Sequence, residues 1–313
     1  MSSRFIDHGL AWSLKAYCRH FPLERGKFRI WKSVFRNYLS NRSLSLEAET
    51  FFGGKFRTDL GDFVQASIYV FGSWEPVISA YLQKNLRAGD IFIDVGANIG
   101  YYTVLAARLV KETGKVYSIE ASPRIYELLR DNVARNKISN VEAINLAATD
   151  RPCTIPIWIG NEDNLGQTTI VESMSDRASG AVETMIEGRP LGEIVPLQDL
   201  LAARIIKIDV EGAEWMVLQG MKDLLPQLSD RTEIFVEACV GSLSKFGITI
   251  EEYLAVFRDA GFEAFMVDSQ LNEPYFPVEN ADRAISPLPS PFPDVDMIDL
   301  LFRRAPNYRR SQA

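Results

Sequence analysis

Two acids and two glycines set the chemistry of this sequence. The run Ile91-Phe92-Ile93-Asp94-Val95-Gly96-Ala97-Asn98-Ile99-Gly100 carries an apolar strand into a helical pattern through a glycine-flanked turn. Such a turn at the carboxyl end of a parallel strand builds a nucleotide-type pocket. Further on, Lys115-Val116-Tyr117-Ser118-Ile119-Glu120 reads as the next strand, and its terminal acid sits where both hydroxyls of a ribose could donate to it. The spacing selects the ligand. A dinucleotide fingerprint needs a middle glycine, and here Asn98 stands between Gly96 and Gly100. No phosphate-loop lysine follows, because Tyr101 and Tyr102 come next. A nucleoside without bridging phosphates fits, and S-adenosyl-L-methionine (SAM) is the expected cofactor. Asp94 would meet its ammonium, and the backbone of Gly96, Ala97, Asn98 and Gly100 with the following helix N-terminus would meet its carboxylate.

Moving a methyl group from a sulfonium requires an acceptor atom held close and in line. An alcohol acceptor must also lose a proton, to a general base or to a metal-bound site. The candidates lie at later strand ends. Arg204–Val210 reads as a strand carrying Lys207 and Asp209 on one face, two residues apart. Asp209 is expected near the cofactor and as general base or metal ligand, with Lys207 orienting it. Glu237 ends the next strand, Thr232–Glu237, and completes the catalytic set. Asp209 with Glu237 could hold a hard divalent cation such as magnesium, although a metal is not the favoured expectation. Glu211 and Glu214 are explained equally well as acids in the first turn of a helix.

These residues need a scaffold of alternating strands and helices. Strands are expected at Ile91–Val95, Lys115–Glu120, Val141–Leu146, Arg204–Val210, Thr232–Glu237, Phe262–Val267 and Met297–Phe302. Helices are expected from Ile99 to Lys111, from the Ser122-Pro123 cap to Asn136, from Ala213 to Met221 and from the Thr249 cap to Ala260. This is an α/β fold, a doubly wound and mostly parallel sheet. Residues 147–196 interrupt the rhythm, with strand-like pieces at Thr154–Ile159 and Thr168–Val171 and polar patches at 160–164 and 173–176. A loop of that length next to a strand end is expected to shape the acceptor pocket. Residues 51–76 are aromatic-rich. Most of their rings are expected in the core, and the segment is expected to cap the cofactor site.

Composition narrows the alternatives. The chain has 313 residues, three scattered cysteines (Cys18, Cys153 and Cys239), and two histidines, His8 and His20, both near the N-terminus. Zinc spacing, a disulfide framework and a Ser-His-Asp hydrolase are all unexpected. The net charge of −7 conceals an asymmetry, because residues 1–60 carry 11 Lys and Arg against 5 Asp and Glu. Residues 1–58 are expected as a basic, helical extension, with Trp31, Val34, Phe35 and Tyr38 on one face. It would dock on the main domain or touch an anionic membrane surface. No membrane-spanning run or signal segment is read, so a cytoplasmic, at most membrane-peripheral, protein is expected. No nucleic-acid partner is expected, and a homodimer is left open. Residues 59–305 form the expected catalytic domain and 306–313 a tail.

The runs FIDVGANIGYYTVLAA, GKVYSIEASPRIYELLRDNVARN and IKIDVEGAEWMVLQG, with DFVQASIYVFGSWEP upstream, resemble the FkbM family of SAM-dependent methyltransferases. The likeness covers Asp59 to Glu237, with a weaker tail to Phe302. One departure is Glu120-Ala121-Ser122-Pro123, where family members often have Glu-Pro. The resemblance implies a seven-stranded, Rossmann-like sheet closed by an antiparallel hairpin, and a place near SAM for Glu75. It also implies O-methylation of a hydroxyl on a small-molecule, sugar, glycolipid or polyketide-type acceptor. Two other readings compete: a non-catalytic SAM-binding module in a glycan- or metabolite-modifying complex, and a nicotinamide-dependent enzyme, which the missing middle glycine disfavours.

Overall fold

The computed structural model describes residues 2–21, 26–40, 44–160, 168–170, 178–268 and 281–305. The expected tail 306–313, the patches 161–164 and 173–176, and Val171 lie outside them.

Helices α1 (Ser2–His20) and α2 (Lys27–Val34) lead into a hairpin of β1 (Ser45–Glu49) and β2 (Lys55–Asp59). Helices α3 (Phe63–Phe71) and α4 (Pro76–Asn85) follow. The alternating body then runs β3 (Ile91–Val95), α5 (Tyr101–Val110), β4 (Lys115–Ile119), α6 (Pro123–Arg135) and β5 (Val141–Ile144). The interruption contains β6 (Ala147–Ala148), β7 (Cys153–Gly160) and β8 (Ala178–Arg189), then short helices α7 (Leu191–Ile194) and α8 (Leu197–Ala202). The body resumes with β9 (Ile205–Ile208), α9 (Glu214–Met221), β10 (Glu233–Ala238), α10 (Val240–Leu243) and α11 (Ile250–Asp259). It closes with β11 (Phe262–Val267), β12 (Ile285–Pro287) and β13 (Ile298–Arg304).

The central sheet has the order β12-β11-β13-β10-β9-β3-β4-β5. Strands β10, β9, β3, β4 and β5 run parallel, and β13 inserts antiparallel between β10 and β11. The seven expected strands are all present, and β12 adds a three-residue edge through pairing with β11. The order reverses between β3 and β9, which places a crevice at their carboxyl ends.

Local chemistry accounts for the element boundaries. Ser122 Oγ accepts the Ile125 N–H at 3.3 Å, and Pro123 starts α6 with a φ already suited to helix. Thr249 and Glu252 form a reciprocal capping box at α11. Side chains from each face of the sheet fill a separate core, with Phe92, Val104 and Leu105 on one side and Ile93, Ile206 and Phe302 on the other.

The N-terminal extension is part of the first core. Trp31 and Leu39 are fully buried, and the Trp31 ring lies 5.7 Å edge-on to Phe71. The Arg19 guanidinium donates to the carbonyls of Val70 at 2.9 Å and Tyr69 at 2.8 Å, capping the end of α3. The expectation of helix through residue 58 is corrected at 45–59. Leu46, Ala48, Phe56 and Thr58 alternate inward, and Gly53-Gly54 turns the chain, so this stretch pairs as a hairpin. Asn132 of α6 ties that hairpin to the glycine turn, accepting from Arg57 N–H and donating to Ile99 C=O, both at 2.9 Å.

Candidate cofactor cleft and active site

The turn after β3 is made of close approaches. Gly96 sits at φ 81°, and a Cβ there would lie 1.7 Å from the carbonyl oxygen of Asp209. Gly100, at φ 87°, would place a Cβ 2.5 Å from Leu129 Cδ1. Both glycines therefore make room for protein, not for ligand. The turn's N–H groups are also spent internally. Gly96 and Ala97 donate to Ile119 C=O, Gly100 to Ala97 C=O, Asn98 to Glu120 Oε2 and Ile99 to Asn98 Oδ1. These bonds hold Asn98 at φ 51°, and Gly96 and Asn98 both line the adjoining cleft.

Other groups do fit SAM. Asp94 is buried and accepts from Thr103 Oγ1 at 2.7 Å through Oδ2, while its Oδ1 is buried without a partner among the described residues. An orphaned acceptor suits an ammonium donor. Glu120 accepts from Asn98 N–H and Ser122 N–H, both at 2.9 Å, one on each oxygen. A carboxylate has about four acceptor sites, so room for two ribose hydroxyls remains. Burial raises Asp94 to about 6 and Glu120 to about 7, against the pull of their hydrogen bonds. Beside Glu120 lies a cleft that encloses about 620 Å³ including its mouth, walled by Val95, Ile119, Ile125 and Val210 and bordered by Asp209; Asp94, one residue before Val95, is buried behind it.

The interrupting segment reaches this cleft through Ala147, Ala148, Thr168 and Ile170. Thr169 bridges to Trp158 and donates through Oγ1 to Glu211 C=O at 2.8 Å, fixing the segment to the turn after β9. No residue of 51–76 is among those lining the cleft; the segment meets the site through Glu75 alone, at an adjoining cavity. Phe56, Tyr69 and Phe71 are core residues, as expected. Glu75 does not line the cleft itself. It lies with Lys207, Asp209, Glu237 and Asp299 around a second, small cavity.

That cavity is the acidic end of the site. Lys207 Nζ donates to Asp209 Oδ2 at 2.7 Å, as their shared face requires, and lies 4.9 Å from the centre of the Tyr102 ring. The Tyr102 hydroxyl donates to Glu75 Oε2 at 2.5 Å. Glu75 holds this position at φ 38°, a costly angle for a side-chain-bearing residue. Strand pairing sets Glu237 opposite Asp299 and Asp94 beside Lys207. Carboxylate oxygens of Glu75, Glu237 and Asp299 lie within 4.8 Å of one another, as do those of Asp209, Glu211 and Glu237. Burial opposes the charge of Lys207, but Asp209, Glu75 and Asp94 outweigh it and keep the amine protonated. Burial, then Asp209, Asp299 and Glu211, push Glu237 well above the usual carboxylate range. Burial raises Glu75 too, with Lys207 opposing.

Glu214 is a structural acid. It is buried and accepts from Gly212 N–H at 2.9 Å and Val210 N–H at 3.3 Å, shaping the turn that carries Asp209. Asp299 and the Tyr102 hydroxyl were not read from the sequence as site groups. An acid within the apolar run Met297–Phe302 was the available signal for Asp299. Tyr101 and Tyr102 are buried to 3% and 5% exposure, so neither ring offers a face to a ligand.

The Methyltransferase FkbM domain model matches residues 94–264. Methyltransferase sdnD of Sordaria araneosa is 27% identical over 206 residues, 57% of this chain and 76% of that protein. A probable cobalt-precorrin-6B C(15)-methyltransferase (decarboxylating) of Sulfolobus acidocaldarius is 40% identical over 110 residues, 34% of this chain and 57% of that protein. Among solved structures, M. jannaschii TYW2 in complex with AdoMet aligns with a TM-score of 0.40 at 15% identity, covering 84% of this chain and 88% of that one. A SAM-dependent O-methyltransferase from Thermotoga maritima aligns at 0.40 and 14% identity, covering 75% and 67%.

Proposed function

The chain belongs to the FkbM methyltransferase family, and from that premise we propose that it methylates a hydroxyl oxygen of a sugar, glycolipid or polyketide-type acceptor. SAM supplies a methyl carbon already activated by a positive sulfur. Asp94 and Glu120 bind it, and the acids beyond Asp209 face the acceptor. The observation that carries the oxygen assignment is Glu237, a carboxylate of raised proton affinity that accepts no hydrogen bond among the described residues. Such a group suits a hydroxyl, whose proton must leave as the new bond forms. Glu237 takes that proton. Asp209 is a poorer base because the Lys207 ammonium holds it; it borders both cavities and orients the hydroxyl. The excess of carboxylates selects a neutral or cationic acceptor over a phosphorylated one.

Labelled SAM, incubated with the protein and a panel of glycans, glycolipids and polyketides, tests this reading. The expected product carries its new methyl on oxygen, seen by carbon NMR; a methyl on nitrogen or carbon overturns it. The two carboxylate triads favour a second reading, in which a hard divalent cation holds the acceptor oxygen. A turnover rate that survives EDTA decides for Glu237 alone.

No described helix is long and apolar enough to cross a membrane. Trp12, Phe21 and Ile30 are nonetheless 67%, 44% and 44% exposed on the basic extension. A peripheral contact with anionic lipid follows from that pairing of apolar and basic groups. Sedimentation with phosphatidylserine vesicles, lost in Trp12→Ala/Ile30→Ala, is the expected result.

A further inference from the structure

A basic pocket lies at the opposite end of the sheet from the acids. It encloses about 780 Å³ including its mouth. The end of α4, the residues that open β9 and β10, and the end of the antiparallel β13 form it. The parallel strands span about 15 Å between it and the methyl-transfer site. Five cations face it, Lys84, Arg87, Arg204, Arg231 and Arg303; Arg304 also borders it, but its guanidinium donates to the carbonyls of Ala260, Leu225 and Leu228. Only two acids, Asp230 and Glu233, share the lining. Asp282 and Asp90 pair with Lys84 and Arg231 from outside the lining, which still leaves one of the five facing cations in excess. This concentration occurs on a chain with a net charge of −7.

The floor is rigid. Glu233 alone serves two guanidiniums, Arg204 at 2.8 Å and Arg303 at 3.4 Å, and also accepts from Tyr81 OH at 2.8 Å. Arg303 in turn donates to Tyr81 OH at 2.9 Å and lies 5.1 Å from the centre of the Phe265 ring. Arg204 donates to Arg231 C=O at 2.7 Å, which fixes the loop that carries the Arg231 side chain. That side chain is 71% exposed, and its ion pair with Asp90 is long, at 3.7 Å. Arg87, exposed just beyond the end of α4, also lines the pocket and donates to Leu86 C=O. Fork-shaped guanidiniums on a fixed floor, with two more at the rim, match the geometry and charge of linked phosphoryl groups.

We propose that this pocket binds a small, soluble di- or polyphosphate, at a site separate from methyl transfer. Calorimetric titration of the full chain with sodium pyrophosphate should show saturable binding that weakens as salt is raised. Arg87→Ala/Arg231→Ala should weaken it about tenfold or more, the loss expected for charge-assisted hydrogen bonds. The affinity of the same variant for SAM should stay within about twofold, which shows that the fold survives. If the double variant does not fold, Arg231→Gln alone should weaken pyrophosphate severalfold. Absence of saturable heat, or equal affinity in wild type and variant, overturns the proposal. Sedimentation with phosphatidic acid vesicles that is lost in the variant, without pyrophosphate binding, assigns the pocket to a lipid headgroup instead and also overturns it.

Discussion

The two ends of the proposed methyl-transfer site are built differently. The cofactor end comes from one continuous stretch, β3 through Glu120, in which each group is held by a near neighbour. The acidic end is assembled from Glu75, Tyr102, the Lys207–Glu211 turn, Glu237 and Asp299, brought together only by sheet pairing and helix packing. The first end is a local device that works once a single strand–turn–helix unit forms. The second exists only when the whole sheet is in register.

The ends meet where the Asp209 carbonyl rests on Gly96, and the largest effect is expected there. Gly96→Ala adds both a steric clash and an unfavourable φ, and should cost about 3 kcal/mol or more of stability in urea denaturation. A fully stable variant would mean that the ends are independent. Glu237→Gln should reduce kcat by about 10²–10⁴-fold, the usual contribution of a general base, with SAM affinity nearly unchanged. Parallel loss of SAM affinity would erase the division of labour between the ends. Glu120→Ala should weaken SAM by about ten- to a hundredfold in calorimetry, since it removes charge-assisted acceptors. The smallest effect is with pH. Asp94 and Glu120 must be ionised to hold SAM, and burial has raised them to about 6 and about 7. Protonation on descending through that window therefore weakens SAM, and affinity should rise severalfold from pH 5.5 to pH 8. A flat profile would show that the two acids do not titrate with binding.

The same division explains what the sequence could reveal. Asp94, Glu120 and the Ser122-Pro123 cap were legible because strand ends and caps are local patterns. Lys207 and Asp209 were legible as a pair because residues two apart share a strand face. The role of the glycines was not, since only the fold brings the Asp209 carbonyl and Leu129 against them. Asp299 stayed hidden because β13 joins β10 from far along the chain. Glu75 is placed near SAM by resemblance alone, and no local pattern announces its hydrogen bond to Tyr102 across 27 residues. The 45–59 hairpin was misread because Leu, Glu and Ala favour helix in isolation, and pairing across Gly53-Gly54 overrode them.

The Arg19 clamp on the carbonyls of Tyr69 and Val70 has a practical consequence for anyone shortening the gene. A chain begun at residue 59 would look like a clean catalytic unit. It would open the end of α3 to water and bare the ring of Phe71, only four residues ahead of the strained Glu75. The leader thus behaves as a buttress, and its loss would be registered first in the geometry of the acceptor side.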